Sequence, residues 1–298
     1  MKKPLHFSRR KLIFLLTVTA TLARGADLDL AGLQAAAAKG DAEAEFQLGK
    51  AYATGSGVPH DPAKALGLYR KAAAQGNFKA ENNLGSIYRQ GDGVKRDLPE
   101  AMKWFEKAAD QGAVLAEMNL ADMEAKGEGT PPSLPQAMHW WLKAANAGNA
   151  EAQYQLGKLL STGGMGVPRN VAQAAIWTGK AAEQGHAAAQ NFLGDLYKNG
   201  LGVPHDLKQS TSWYAKSAAQ GNADGEVNYG EAISVGSGTD KDPVTGFMWV
   251  LLSFGQDNKK AKVLETELRP GITQAQYQEA QRRALARISQ GWSQSAGN

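Results

Sequence analysis

The chain has 298 residues, room for one large domain or two ordinary ones, and its 43% hydrophobic and 21% charged residues exclude a disordered polymer. Cysteine is absent, which excludes disulfides, thiolate metal sites and a cysteine nucleophile. The formal charge of +4 arises at the N-terminus, where Lys2, Lys3, Arg9, Arg10, Lys11 and Arg24 stand without an acid. Without those six, 27 basic residues face 29 acidic ones, so the body of the chain has no general attraction for nucleic acid.

Met1 to Lys11 is a positively charged stretch, Leu12 to Leu22 is apolar, and Ala23-Arg24-Gly25 offers a cleavage signal before Ala26. This order predicts a secretory signal peptide over residues 1–25, cleaved near Gly25/Ala26; the apolar run is short for a membrane span. A buried N-terminal helix and an uncleaved anchor are the competing readings. Ser8-Arg9-Arg10-Lys11-Leu12-Ile13 also looks like a twin-arginine export signal, and both export routes stay open. The absence of cysteine excludes lipid attachment at a lipobox. The expected compartment is a bacterial periplasm or the exterior, with the membrane met only through the export signal. Asp29 to Lys39 then reads as a lone helix ending at Gly40, an N-terminal cap.

Beyond the leader the sequence repeats. Gly49, Gly85, Ala121, Gly157, Gly194 and Gly230 are equivalent, at steps of 36, 36, 36, 37 and 36. The series Gly40, Gly76, Gly112, Gly148, Gly185, Gly221 and the series Asp61, Asp97, Ser133, Asn170, Asp206, Asp242 keep the same steps. Six copies in register mean a solenoid of stacked supersecondary units. In the first copy Ala44, Leu48 and Tyr52 lie on one helical stripe, and glycines 55 and 57 end that helix. Asp61 is placed to cap a second helix that begins with Pro62 and carries Ala65, Leu68, Tyr69, Ala72 and Ala73 on one face. The phase of Ala44, Ala80, Ala116, Ala152, Ala189 and Gly225 admits close helix approach. Leu68, Trp104, Trp140, Trp177, Trp213 and Trp249 are expected to be one buried packing residue per copy. After the sixth copy, Ala261 to Leu268 and Thr273 to Ser289 read as closing helices, with Thr273 and Gln276 as a capping box.

The run Ala80-Glu81-Asn82-Asn83-Leu84-Gly85-Ser86-Ile87-Tyr88, then Gly91-Asp92-Gly93-Val94, Asp97, Ala101, Trp104-Phe105, Lys107-Ala108-Ala109 and Gly112, resembles a Sel1-like repeat. The resemblance to this family, related to the tetratricopeptide repeats, covers Gly40 to Phe254. It implies an all-α, right-handed superhelical solenoid of helix-turn-helix repeats with capping helices. The expected organisation is a signal peptide at 1–25, a capping helix at 26–40 and copies at 41–76, 77–112, 113–148, 149–185, 186–221 and 222–254. Capping helices and tail occupy 255–298. The third copy departs through Ala121, Glu124 and Thr130-Pro131-Pro132, where a local irregularity is expected, and the sixth through Leu252-Ser253-Phe254.

The histidines are scattered: His60 and His205 share a phase four copies apart, and none has the i, i+4 spacing of a zinc helix. No phosphate loop or Gly-x-Ser-x-Gly elbow occurs, and Ser-x-x-Lys occurs only at Ser8 to Lys11. No catalytic residue, metal or cofactor is assigned. A cysteine-rich branch of the resembled family includes proteins that bind or hydrolyse β-lactams, and this chain lacks those cysteines. By the same resemblance the first helix of each copy lines a concave surface. Gln47, Asn83, Asn119, Gln155, Phe192 and Asn228 share one phase there, and side-chain amides can both donate to and accept from an extended peptide backbone. The competing reading is that these amides satisfy neighbouring loops or helix ends. The next phase, Lys50, Ser86, Asp122, Lys158, Asp195 and Glu231, is mixed in sign and supports no basic clamp. The expected function is an exported, non-enzymatic adaptor for a protein or peptide partner. A cell-wall enzyme or β-lactam binder and a purely structural spacer are the alternatives.

Overall fold

The computed structural model describes residues 29–295; the leader and its cleavage site lie outside them. A lone helix, α1 (Leu30–Ala38), precedes six pairs, each with a first helix A and a second helix B. The pairs are α2 (Ala42–Thr54) with α3 (Pro62–Ala74), α4 (Phe78–Gln90) with α5 (Leu98–Asp110), and α6 (Val114–Lys126) with α7 (Leu134–Asn146). They continue as α8 (Ala150–Thr162) with α9 (Val171–Glu183), α10 (Ala187–Asn199) with α11 (Leu207–Ala219), and α12 (Ala223–Val235) with α13 (Pro243–Phe254). Then come α14 (Lys259–Leu268), a 3₁₀ turn at Arg269–Gly271, and α15 (Gln274–Ser295). Among the described residues the only ladder contact is the bridge between Gly164 and Val167. The architecture is all-α, of the solenoid class.

The chain divides into two compact units, one of described residues 29–152 with 163–168, the other of 153–162 with 169–295. In the first unit, α3 packs on α2 and α4, and α5 on α4 and α6. In the second, α11 packs on α10 and α12, and α13 on α12, α14 and α15.

Local chemistry sets these helices. Each B helix starts at a side-chain cap: the carboxylates of Asp61, Asp97, Asp206 and Asp242, the Ser133 hydroxyl and the Asn170 amide oxygen each accept a first-turn N–H. The A helix α4 ends at Gly91, whose φ of 79° is the left-handed angle that side chains resist. Gly202 is tighter still: a Cβ there would lie 2.0 Å from the Val171 carbonyl oxygen, so the loop glycine lets one copy's turn sit on the previous copy's B helix.

Helix pairing follows from small residues facing large ones. Ala44, Ala80, Ala116, Ala152 and Ala189 are buried, as is Gly225, where a Cβ would meet the Ser217 hydroxyl at 2.3 Å. The A-helix glycines lie against the B helix: a Cβ on Gly85 would meet the Phe105 ring at 2.6 Å, and one on Gly194 the Tyr214 ring at 2.5 Å. The buried packing residue is therefore one position later than the sequence suggested. Tyr69, Phe105, Trp141, Thr178, Tyr214 and Val250 fill this place, and all are buried. Of the preceding row, Trp177 and Trp249 are buried, while Leu68, Trp104, Trp140 and Trp213 are half-buried. The physical reason is helical phase: the residue that points at the A-helix glycine has the axis contact, and its predecessor is turned toward the helix flank.

Candidate functional site

The shared phase of Gln47, Asn83, Asn119, Gln155, Phe192 and Asn228 places them on the A helices, and all six are half-buried. Several of them join successive copies. The Asn119 Nδ2 donates to Asn82 Oδ1 at 3.2 Å, and the Asn228 Nδ2 donates to Asn191 Oδ1 at 2.8 Å. The corresponding joint between Tyr154 and Phe192 is aromatic, an edge-on pair with ring centroids 6.4 Å apart. Asn83 shares a hydrogen bond with the Tyr69 hydroxyl of the preceding B helix, and Gln47 Nε2 donates to Glu43 at 2.7 Å. Asn119 Oδ1 also receives Arg89 Nη1 at 3.4 Å, and Asn228 Oδ1 receives Lys260 Nζ at 2.6 Å.

A second ladder went unread in the sequence. In five of the six copies a buried polar residue near the start of the A helix meets a glutamine at the end of its own B helix. Gln75 Nε2 donates to Glu45 at 2.8 Å, while Gln111 donates to Glu81 and Gln256 to Glu226, each at 2.7 Å. Gln184 and Gln220 donate likewise to Gln153 and Gln190, at 2.7 and 2.8 Å. The signal was visible as a glutamine in front of Gly76, Gly112, Gly185 and Gly221. In the third copy that residue is Ala147. Glu117 is 4% exposed, its Oε2 meets no hydrogen-bond donor, and its nearest cation, Lys143 Nζ, is 3.9 Å from Oε1. Burial raises the Glu117 pKa, with Lys143 and His139 pulling it back.

The tryptophan row carries a regular cationic cover. Lys107, Lys143, Lys180 and Lys216 stand over Trp104, Trp140, Trp177 and Trp213, with Nζ 4.2, 4.5, 4.2 and 3.6 Å from the ring centroids. In the sixth copy Leu252 occupies the lysine's place, and the guanidinium of Arg287 on α15 covers Trp249 at 4.3 Å instead. Each of these indoles thus has a cation of the chain itself over its ring, as a packing residue at a helix flank would.

Two of the described histidines have structural partners. His186 Nδ1 caps α10 by accepting the Ala189 N–H at 3.1 Å, and His205 Nδ1 bonds the Lys198 carbonyl at 2.8 Å. Among the described residues no group of three acidic or histidine side chains could hold a metal ion. The deepest perturbed pair is Asp195, its pKa raised by burial, which accepts the Tyr214 hydroxyl at 2.7 Å; Tyr214 is raised by burial and by that carboxylate. With the tyrosine locked on the acid, the pair serves packing between α10 and α11.

The Sel1 repeat family model matches residues 42–77, 78–112, 114–149, 150–186, 187–222 and 223–254. A protective antigen present in uropathogenic Escherichia coli strains, displaying an SLR fold, is 34% identical with a TM-score of 0.77. The likeness covers 84% of this chain and 56% of that one, so the chain spans little more than half of that relative. A Sel1 repeat protein from Oxalobacter formigenes is 31% identical with a TM-score of 0.63, over 74% of this chain and 90% of that one. No protein of curated function matches the chain.

Proposed function

The chain belongs to the Sel1 repeat family, and from that premise we propose that it is an exported, non-enzymatic adaptor holding an extended segment of a protein partner against its A helices. The observation that carries this reading is the half-used state of the amide joints. In the Asn82–Asn119 and Asn191–Asn228 bonds, Asn82 and Asn191 contribute only their oxygens. Their Nδ2 groups are left to donate to a backbone carbonyl of a bound peptide, while the joint fixes the rotamer in advance and lowers the ordering cost. The charged and apolar order of residues 1–25 supports export.

The double variant Asn82→Asp, Asn191→Asp separates the binding role from the structural one. Aspartate keeps an oxygen for Asn119 and Asn228 and removes the free donors. Affinity capture from an envelope extract should lose a specific partner in this variant while helicity is retained. Equal capture by both chains would remove the amides from the binding site. No saturable partner would favour a spacer, and retention of labelled penicillin would favour the β-lactam reading.

A further inference from the structure

Between α3 of the first copy and the loop of the second lies an open pocket of about 620 Å³, walled by Arg70, Tyr88, Lys95 and Arg96 with the apolar Val94 and Leu98. Arg70 Nη2 donates to the Tyr88 hydroxyl at 2.8 Å, which leaves that hydroxyl its own proton to give. Arg96 is anchored by its Nε on the Arg89 carbonyl at 2.9 Å, so its terminal nitrogens are held in place without being used in that bond. Lys95 is exposed at the rim. The acids nearby are engaged: Asp97, in the wall, accepts the Glu100 N–H at 3.0 Å as the cap of α5, and Glu128 pairs with Arg89 Nε at 2.7 Å.

Two of these cations, Arg70 of the first copy and Lys95 of the second, have no basic counterpart in the other copies, whereas Arg96 is matched by Arg169 and Lys241. Where the first copy has Arg70, the later copies have Glu106, Leu142, Gly179, Ala215 and Leu251. Where the second copy has Lys95, the others have Pro59, Pro131, Pro168, Pro204 and Asp240. A positive cluster in a chain whose body is slightly acidic is a local feature with a local use. We propose that this pocket binds a carboxylate side chain from an acidic segment of a partner protein, with apolar residues beside that acid lying on Val94, Leu98 and the Tyr88 ring. Guanidinium and hydroxyl donors suit a carboxylate, and the apolar walls suit its neighbours better than they suit a hydrated phosphate. The site uses none of the amide row's residues and does not depend on it.

The test uses the full chain and a fluorescently labelled peptide of alternating glutamate with phenylalanine and leucine, beside the same peptide with glutamine for glutamate. The variant R70E/K95P carries residues found at the equivalent positions of other copies, so it keeps the fold, which circular dichroism checks. The acidic peptide should bind saturably, weaken with added salt, and lose at least about ten-fold in affinity in the variant, with the glutamine peptide equally weak on the native chain. Equal binding of both peptides, equal binding by both chains, or no saturable binding would overturn the proposal. Full displacement by millimolar inorganic phosphate would reassign the pocket to phosphate groups and also overturn it.

Discussion

The second and third copies have helices of equal length, thirteen residues in each of α4, α5, α6 and α7, yet they differ at the polar joints of their A helices. In the second copy Asn77 caps α4 by accepting the Ala80 N–H at 3.0 Å, Gln111 satisfies Glu81, and Gly85 receives the Phe105 ring. In the third, Ala113 gives α6 no side-chain cap, Ala147 leaves Glu117 Oε2 without a donor, and Ala121 stands in the place of the glycine; a buried indole Nε1 lacks a partner in both copies, at Trp104 and at Trp141. The helices on either side of Thr130-Pro131-Pro132 keep their thirteen residues, and the joints that differ lie away from that loop. The register of small against large residues sets the architecture, and the caps and amide bonds each adjust its stability by about a kilocalorie per mole.

The largest break in this comparison comes from the register itself. Phe105→Ala should cost about 3–5 kcal/mol in urea unfolding, and Trp104→Ala distinctly less, because Phe105 is fully buried and Trp104 only half-buried. An equal loss in the two variants would contradict the assignment of Phe105 as the packing residue. Next is Gln111→Ala, which gives Glu81 the surroundings of Glu117 and should cost about 1–3 kcal/mol by leaving a buried acceptor unmet.

The reverse exchange, Ala147→Gln, should stabilise the chain by about 1 kcal/mol. It should also change the response to pH. Because the folded Glu117 pKa is raised, the folded chain keeps this proton to higher pH than the unfolded chain. The stability attached to that group is present below the unfolded carboxylate pKa and is lost as pH rises through the folded one. A donor from the introduced glutamine would lower the folded pKa and flatten that fall; unfolding free energies across the weakly acidic range, with Glu117→Gln as the reference lacking the proton, check this. Smallest is Ala113→Asn, which restores the missing cap and should raise the denaturant midpoint by the equivalent of about 0.5–1 kcal/mol. No gain would mean that the α6 N-terminus is satisfied by other means.

The repeat was fully legible in the sequence because its signals are local. Glycines that end helices, acids that start them and alanines that allow close approach act within a few residues, and each recurs along the array. What escaped was the geometry between helices. Neighbouring aromatic residues such as Trp104 and Phe105 look alike in a periodic pattern, and only the position of Gly85 decides which of them meets the A helix. The glutamines before the repeat-ending glycines gave a visible phase, but their partners lie about thirty residues away on another helix. The amides were legible as a row, and their bonds to Asn82 and Asn191 required knowing how successive copies are offset.

Arg287 over Trp249 bears on how such an array changes its copy number. The internal copies carry interchangeable fittings, since each lysine covers a tryptophan of its own helix. The last copy has given up that lysine for Leu252 and relies on a cation from α15. Duplication or loss of a unit within the array would leave every cover in place. Appending a unit after the sixth would separate Trp249 from its arginine and strand Leu252 at an internal junction. The sixth copy and α15 thus form one packing unit, completed by a cation that the copy does not itself carry.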